Sequence, residues 1–200
     1  MKIQFDGALS YQQEAIDAIV DIFKGQEKCE SNFTVYSPSF LAQQQNLEFN
    51  ETGYGNRLTL TEGKILENVQ NIQLGNGLKP SIRGEVNRNE LDFTVEMETG
   101  TGKTYVYLRT ILELYTKFGF SKHIIVVPSI PIKEGVFKSL QITKEHLREL
   151  YDNVNYNFFV YDSSKLNEVR DFATNDRLEI MVINIDAFSK SFENPSDDKK

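Results

Sequence analysis

The sequence predicts an α/β protein: a mostly parallel sheet flanked by helices on both faces. Two observations carry this. Over residues 92–188, short β-rich runs alternate with longer amphipathic ones, which is the pattern of βαβ units. At residues 96–104 a β-type run passes through a glycine turn directly into a helix, the setting that phosphate binding requires. The length of 200 residues, 23.0 kDa, suits one domain with a core of its own.

The elements follow in chain order. Residues 1–28 read as an opening segment and a helix. Ile16, Ile19, Val20 and Phe23 fall at helical spacing and make one apolar stripe. Ser10 and Gln13 are spaced as a capping box at its start, and Gly25 is a natural stop. Residues 29–91 change character. They are rich in Asn, Gln, Gly and Ser, with apolar islands at Phe33–Tyr36 and Leu58–Leu60 and a helical island at Lys64–Gln70. This is a small insertion with hairpin-like pieces, placed before the glycine turn. Residues 92–200 carry the main alternation. Its candidate strands are Asp92–Met97, His123–Val127, Tyr156–Tyr161 and Glu179–Ile185. Its candidate helices are Lys103–Phe118, Pro131–Leu140 extending into Glu145–Tyr151, and Ser164–Ala173. In the first of these helices Leu108, Ile111, Leu112 and Tyr115 form the stripe and Gly119 ends it. The tail at 196–200 is polar and frays.

Composition removes whole classes. A single cysteine, Cys29, excludes an internal disulfide framework and a cysteine metal cluster. His123 and His146 have no ligand spacing. No apolar run approaches the roughly 18–20 residues of a membrane span. The first six residues hold no apolar signal region, so a cytoplasmic protein is expected. The formal net charge is −7 and the pI about 5.0, which argues against a free-standing nonspecific nucleic-acid binder while leaving room for a local basic patch.

The glycine turn carries the chemistry. Thr99, Gly100, Thr101, Gly102, Lys103 and Thr104 form a compact phosphate loop. Gly100 and Gly102 permit unusual backbone angles and close approach to an anion. The amides of the loop and the following helix N-terminus offer donors and partial positive charge. Lys103 supplies a full charge for the β- and γ-phosphates, and the Thr104 hydroxyl suits Mg²⁺. ATP with Mg²⁺ is the expected cofactor pair, with Lys103 and Thr104 as the catalytic candidates. The broader pattern with a glycine four residues before Gly102 is not met, since Met97 stands at its first position. Upstream, Gln12 offers an amide donor and acceptor that suit the edge of adenine. Arg109 reads as a surface or salt-bridging residue, and Tyr105, Tyr107 and Tyr115 as packing residues.

These residues resemble a known family. Met97–Ile111 (MetGluThrGlyThrGlyLysThrTyrValTyrLeuArgThrIle) resembles motif I of the Res subunit of type III restriction–modification enzymes. Ile124–Val136 resembles that family's motif Ia, and Asn184–Phe188 its motif Ib region. Asn56–Leu60 and Ile65–Gly77 match the insertion associated with Res subunits. The resemblance implies a RecA-like first motor domain of helicase superfamily 2, here incomplete. It also implies ATP-driven action on double-stranded DNA together with a modification methyltransferase. Nuclease activity would reside elsewhere in the parent protein. It points to backbone-phosphate contacts on DNA from Ser129, Lys133 and Asn184, with Lys138 and Phe188 as weaker candidates.

The departures shape the expectation. The family's Asp-Glu pair after a further strand is not found. Asp162-Ser163 and Asp186-Ala187 lack the glutamate, and Asp197-Asp198 lies in the tail. The chain therefore reads as an N-terminal fragment that binds nucleotide without turning it over. Two alternatives stay open: another superfamily 2 DNA motor, such as a type I restriction motor subunit or a repair helicase, and a nucleotide-dependent binding module.

Overall fold

The computed structural model describes residues 6–29, 31–36, 50–86 and 91–192. The tail at 196–200 and the Gln-rich part of the insertion at 43–49 lie outside the described residues. The chain forms two compact units, Met1–Cys29 with Arg57–Gly119, and Glu30–Asn56 with Phe120–Lys200.

The first unit is helical. It comprises α1 (Ser10–Asp21), α2 (Glu62–Gly75) and α3 (Lys103–Phe118), with α1 packed on both of the others. Helix α3 takes the predicted span because glycines in the left-handed region bound it on both sides, Gly102 at φ 84° and Gly119 at φ 77°. Ile22, Leu60, Ile65, Val69 and Val86 form a buried cluster, joined by Phe23, Leu58, Leu91 and Phe93. Full burial of such side chains contributes about 1.5–3 kcal/mol each. Two buried amides inside the unit tie its segments together. Asn68 Nδ2 donates to the carbonyls of Ile22 and Lys24, at 3.0 and 2.9 Å, and so satisfies the C-terminal end of α1. Gln26 Oε1 accepts from the Thr59 amide at 2.8 Å and tethers residues 57–60 alongside.

The second unit holds both sheets. Strands β1 (Ser31–Tyr36) and β2 (Asn50–Gly55) pair antiparallel, with Phe33 opposite Gly53. A three-stranded parallel sheet follows from β3 (Lys122–Val127), β4 (Tyr156–Val160) and β5 (Leu178–Asn184), in the order β3-β5-β4. Helices α4 (Ile130–Leu150), α5 (Leu166–Thr174) and α6 (Ile185–Phe192) pack against it. The central strand β5 is buried from Leu178 to Ile183, as the apolar run Ile180–Ile183 of a strand covered on both faces requires. Its one charged residue, Glu179, accepts a hydrogen bond from Asn157 Nδ2 at 3.0 Å. Among the described residues no helix is long and apolar enough to cross a membrane.

Three expectations are corrected. Asp92–Met97 is not a strand: residues 91–98 form neither helix nor ladder among the described residues. Leu91 and Phe93 still reach the first unit's cluster while Asp92, Thr94, Val95 and Glu96 are exposed, so alternation reflects one-sided burial without a partner strand. The capping box is absent. Leu9 is the N-cap, with no side-chain cap bond, and Gln13 donates instead to Asp17 Oδ1 at 2.9 Å. The hairpin's second strand is Asn50–Gly55, whereas Leu58–Leu60 packs in the first unit as loop. Helix α4 runs unbroken over the two predicted stretches, and the Thr143 hydroxyl within it donates to the Ser139 carbonyl one turn back, at 2.8 Å.

Candidate functional site

The glycine turn is held open by its own hydrogen bonds. The Glu98 carbonyl accepts from Thr101 Oγ1 at 2.7 Å and from Lys103 Nζ at 3.1 Å. Gly100 and Gly102 both take φ of +84°, which side-chain-bearing residues rarely adopt. Thr99, Gly100 and Lys103 are exposed, and Thr101, Gly102 and Thr104 are half-buried. A methyl group on Gly100 would meet nothing within 4 Å. Gly102 is the N-cap of α3, so the first amides of that helix follow the turn directly. The arrangement gathers backbone donors, the Lys103 ammonium and the Thr104 hydroxyl at one turn.

Gln12 stands against this loop. It is 5% exposed, and its Nε2 donates to the Thr101 carbonyl at 2.8 Å. Its Oε1 is buried with no hydrogen-bond partner among the described residues. Buried acceptors are rarely left so in native proteins. The amide therefore keeps an open acceptor and a second N–H, which fit the amino and ring-nitrogen edge of adenine. With the loop's donors and Thr104, the residues present fit a magnesium-bound adenine nucleotide.

Arg109 departs from the surface reading. It is 5% exposed on α3. Nη1 donates to the Gly7 carbonyl and Nη2 to Gln13 Oε1, each at 2.9 Å. Its guanidinium lies 5.8 Å from the centre of the Tyr105 ring. Burial pushes the Tyr105 phenol above its ordinary pKa, with Arg109 opposing the shift. Sequence held a signal for this: Tyr105, Leu108, Arg109 and Leu112 repeat at i, i+3, i+4, i+7, which puts Arg109 at a core position.

The DNA candidates belong to the second unit. Val127 pairs in register with Asn184, so Asn184 ends one strand and Ser129, two residues beyond Val127, follows the C-terminal end of the adjacent parallel strand. Ser129 is the N-cap of α4 through its backbone only, making no side-chain cap bond. Lys133 lines a concavity of about 570 Å³ with Val160, Tyr161, Asp162, Ser163 and Lys165. The Ser164 hydroxyl and amide hold the exposed Asp162 carboxyl below its ordinary pKa. Sequence reasoning had not grouped Lys165 and Ser163 with Lys133. The parallel topology does so, because each follows a strand's C-terminal end.

Comparison with known proteins gives the family. The family model described as type III restriction enzyme, res subunit, matches residues 7–200. The chain is 42% identical over 96 residues to the Res subunit of the type III restriction-modification enzyme EcoP15I of Escherichia coli, covering 47% of this chain and 10% of that protein. It is 32% identical over 151 residues to the EcoPI Res subunit of Escherichia phage P1, covering 74% of this chain and 14% of that protein. It is 43% identical over 67 residues to the StyLTI Res subunit of Salmonella typhimurium, covering 32% and 7%. The chain thus spans a small part of the length of these relatives. A three-stranded parallel sheet with helices, a glycine loop opening α3 and a match over nearly its whole length place this chain in the type III restriction enzyme Res subunit family.

Proposed function

We propose that the chain is part of a RecA-like first motor domain of helicase superfamily 2, which binds ATP and Mg²⁺ within a type III restriction endonuclease subunit. In this reading residues 1–28 serve the adenine side, 29–91 are a family-specific insertion, and 92–200 begin the motor domain. The parent works in the cytoplasm with a modification methyltransferase on double-stranded DNA.

One observation carries the reading. The Gln12 amide reaches the carbonyl of Thr101, 89 residues away, and leaves a buried acceptor unused beside the glycine loop. Thr99, Gly100, Thr101 and Gly102 would cradle phosphate oxygens through their amides. Lys103 would leave the Glu98 carbonyl for the β- and γ-phosphates, and Thr104 would hold the metal. Bound MgATP supplies the phosphoanhydride whose cleavage drives a motor. The chain's own contribution is to hold it, orient its base and shield the phosphates with fixed donors. Ser129, Lys133 and Asn184 would touch the DNA backbone, which positions a protein without reading sequence.

Calorimetric titration with MgATP tests this. Lys103→Ala removes the loop's full positive charge, and affinity should fall by at least about tenfold, or about 1.4 kcal/mol. Equal affinity for the two proteins would refute the assignment.

A further inference from the structure

We infer that Arg109 is a positioning residue for nucleobase selection: by fastening Gly7 and Gln13 to α3, it fixes where Gln12 stands and thereby enforces adenine over guanine. The inference rests on the nucleotide-binding reading above.

Gln12 lies in the first turn of α1, a turn that has no side-chain cap of its own. Free helix ends fray, and a fraying first turn would carry Gln12 away from the loop. Arg109 supplies the missing restraint on both sides of Gln12. It binds the Gly7 carbonyl five residues before and the Gln13 side chain immediately after. Its planar fork makes both bonds at once, which a lysine ammonium on a single flexible stem does not reproduce. Arg109 is itself fixed by burial and by Tyr105. Helix α3 therefore carries Lys103 and Thr104 at its start and the anchor of the base-facing segment six residues on, roughly 9 Å along one rigid element. A single helix sets the spacing between the phosphate end and the base end of the site.

The chemistry of discrimination follows from which way the Gln12 amide points. Thr101's carbonyl can only accept, so it selects Nε2 and leaves Oε1 as the buried, unpartnered acceptor beside the loop. Oε1 can accept from the adenine amino group. Guanine presents a carbonyl at that position, and two acceptors would meet. Without the anchor, Gln12 is free to leave the Thr101 carbonyl, rotate its amide and donate to guanine instead. The anchor, not the glutamine alone, makes the site selective.

Calorimetry on the 200-residue chain tests this, using MgATP, MgGTP and inorganic tripolyphosphate as separate ligands. The proteins are wild type, Arg109→Lys and Gln13→Leu; the last removes the acceptor of Arg109 Nη2 while keeping the arginine itself. Wild type should prefer ATP to GTP by about tenfold or more, and both variants should bring that ratio to within about threefold. Tripolyphosphate, which engages the loop alone, should bind all three proteins within about twofold. An unchanged ATP-to-GTP ratio in both variants overturns the inference. So does an equal loss of all three ligands, which would make Arg109 a general structural residue. If wild type binds neither ATP nor tripolyphosphate, the nucleotide reading itself fails and takes this inference with it.

Discussion

Gly100 and Gly102 share the same φ of +84°, yet their surroundings differ. A Cβ on Gly100 enters open space, whereas one on Gly102 would lie 2.6 Å from Gln12 Nε2. Alanine at either position costs about 1–2 kcal/mol in backbone strain. Only Gly102→Ala also displaces Gln12. Both variants should melt at similarly lowered temperatures, while MgATP affinity should fall about tenfold further in Gly102→Ala than in Gly100→Ala. Indistinguishable affinities would mean that Gln12 does not serve the nucleotide. His123 gives a second test at this scale. Burial pushes its pKa down to about 4 from 6.5, and its Nε2 lies 2.8 Å from the Phe120 carbonyl. The folded value lies below the unfolded one, so protonation favours the unfolded chain. This contribution is intact above about pH 6.5 and is lost as the pH falls toward 4. Allowing for partial exposure, wild type should lose about 1–2 kcal/mol between pH 7 and pH 5 through this group. Urea denaturation of His123→Asn should lack that part of the pH dependence; a wild-type slope in the variant would exclude His123 as its source. The glycine turn and the start of α3 at Lys103 were legible because residue type and spacing declare them. The use of Nε2 by Thr101 and the burial of Arg109 were not, since both depend on which helices meet.

At the scale of elements, Asn68 on α2 finishes α1. Its two bonds to the Ile22 and Lys24 carbonyls replace a cap within α1's own sequence. Asn68→Leu keeps the volume and strands both carbonyls, so the first unit should lose about 2–3 kcal/mol. Thermal or urea unfolding reads this directly, and a change under about 0.5 kcal/mol would show that water satisfies those carbonyls equally well. Periodicity located α3, β3, β4 and β5 to within two residues, because each buries one consistent face or, for β5, both. It failed at Asp92–Met97, where alternation records packing of Leu91 and Phe93 without a neighbouring strand. Asn56 shows the same limit. Its amide pairs with both the carbonyl and the amide of Lys122, a long-range contact that no local pattern announces.

For the whole chain, charge and partial length set the expectation on DNA. The chain carries −7 overall and covers 10% and 14% of the first two relatives. Long-range electrostatics oppose binding to duplex DNA, and Lys133 and Lys165 are few against that field. Affinity for two unrelated duplexes should be weaker than about 10 µM at physiological salt and equal for both, by fluorescence anisotropy. Submicromolar binding to one duplex alone would require a base-reading element in this chain. The central claim, that the glycine loop and Gln12 together hold ATP, is tested most directly by hydrogen–deuterium exchange with and without MgATP. Slowed exchange should fall at residues 99–106 and 9–14, with residues 156–184 unchanged. Protection confined to residues 120–192, or none at the loop under saturating nucleotide, would contradict it.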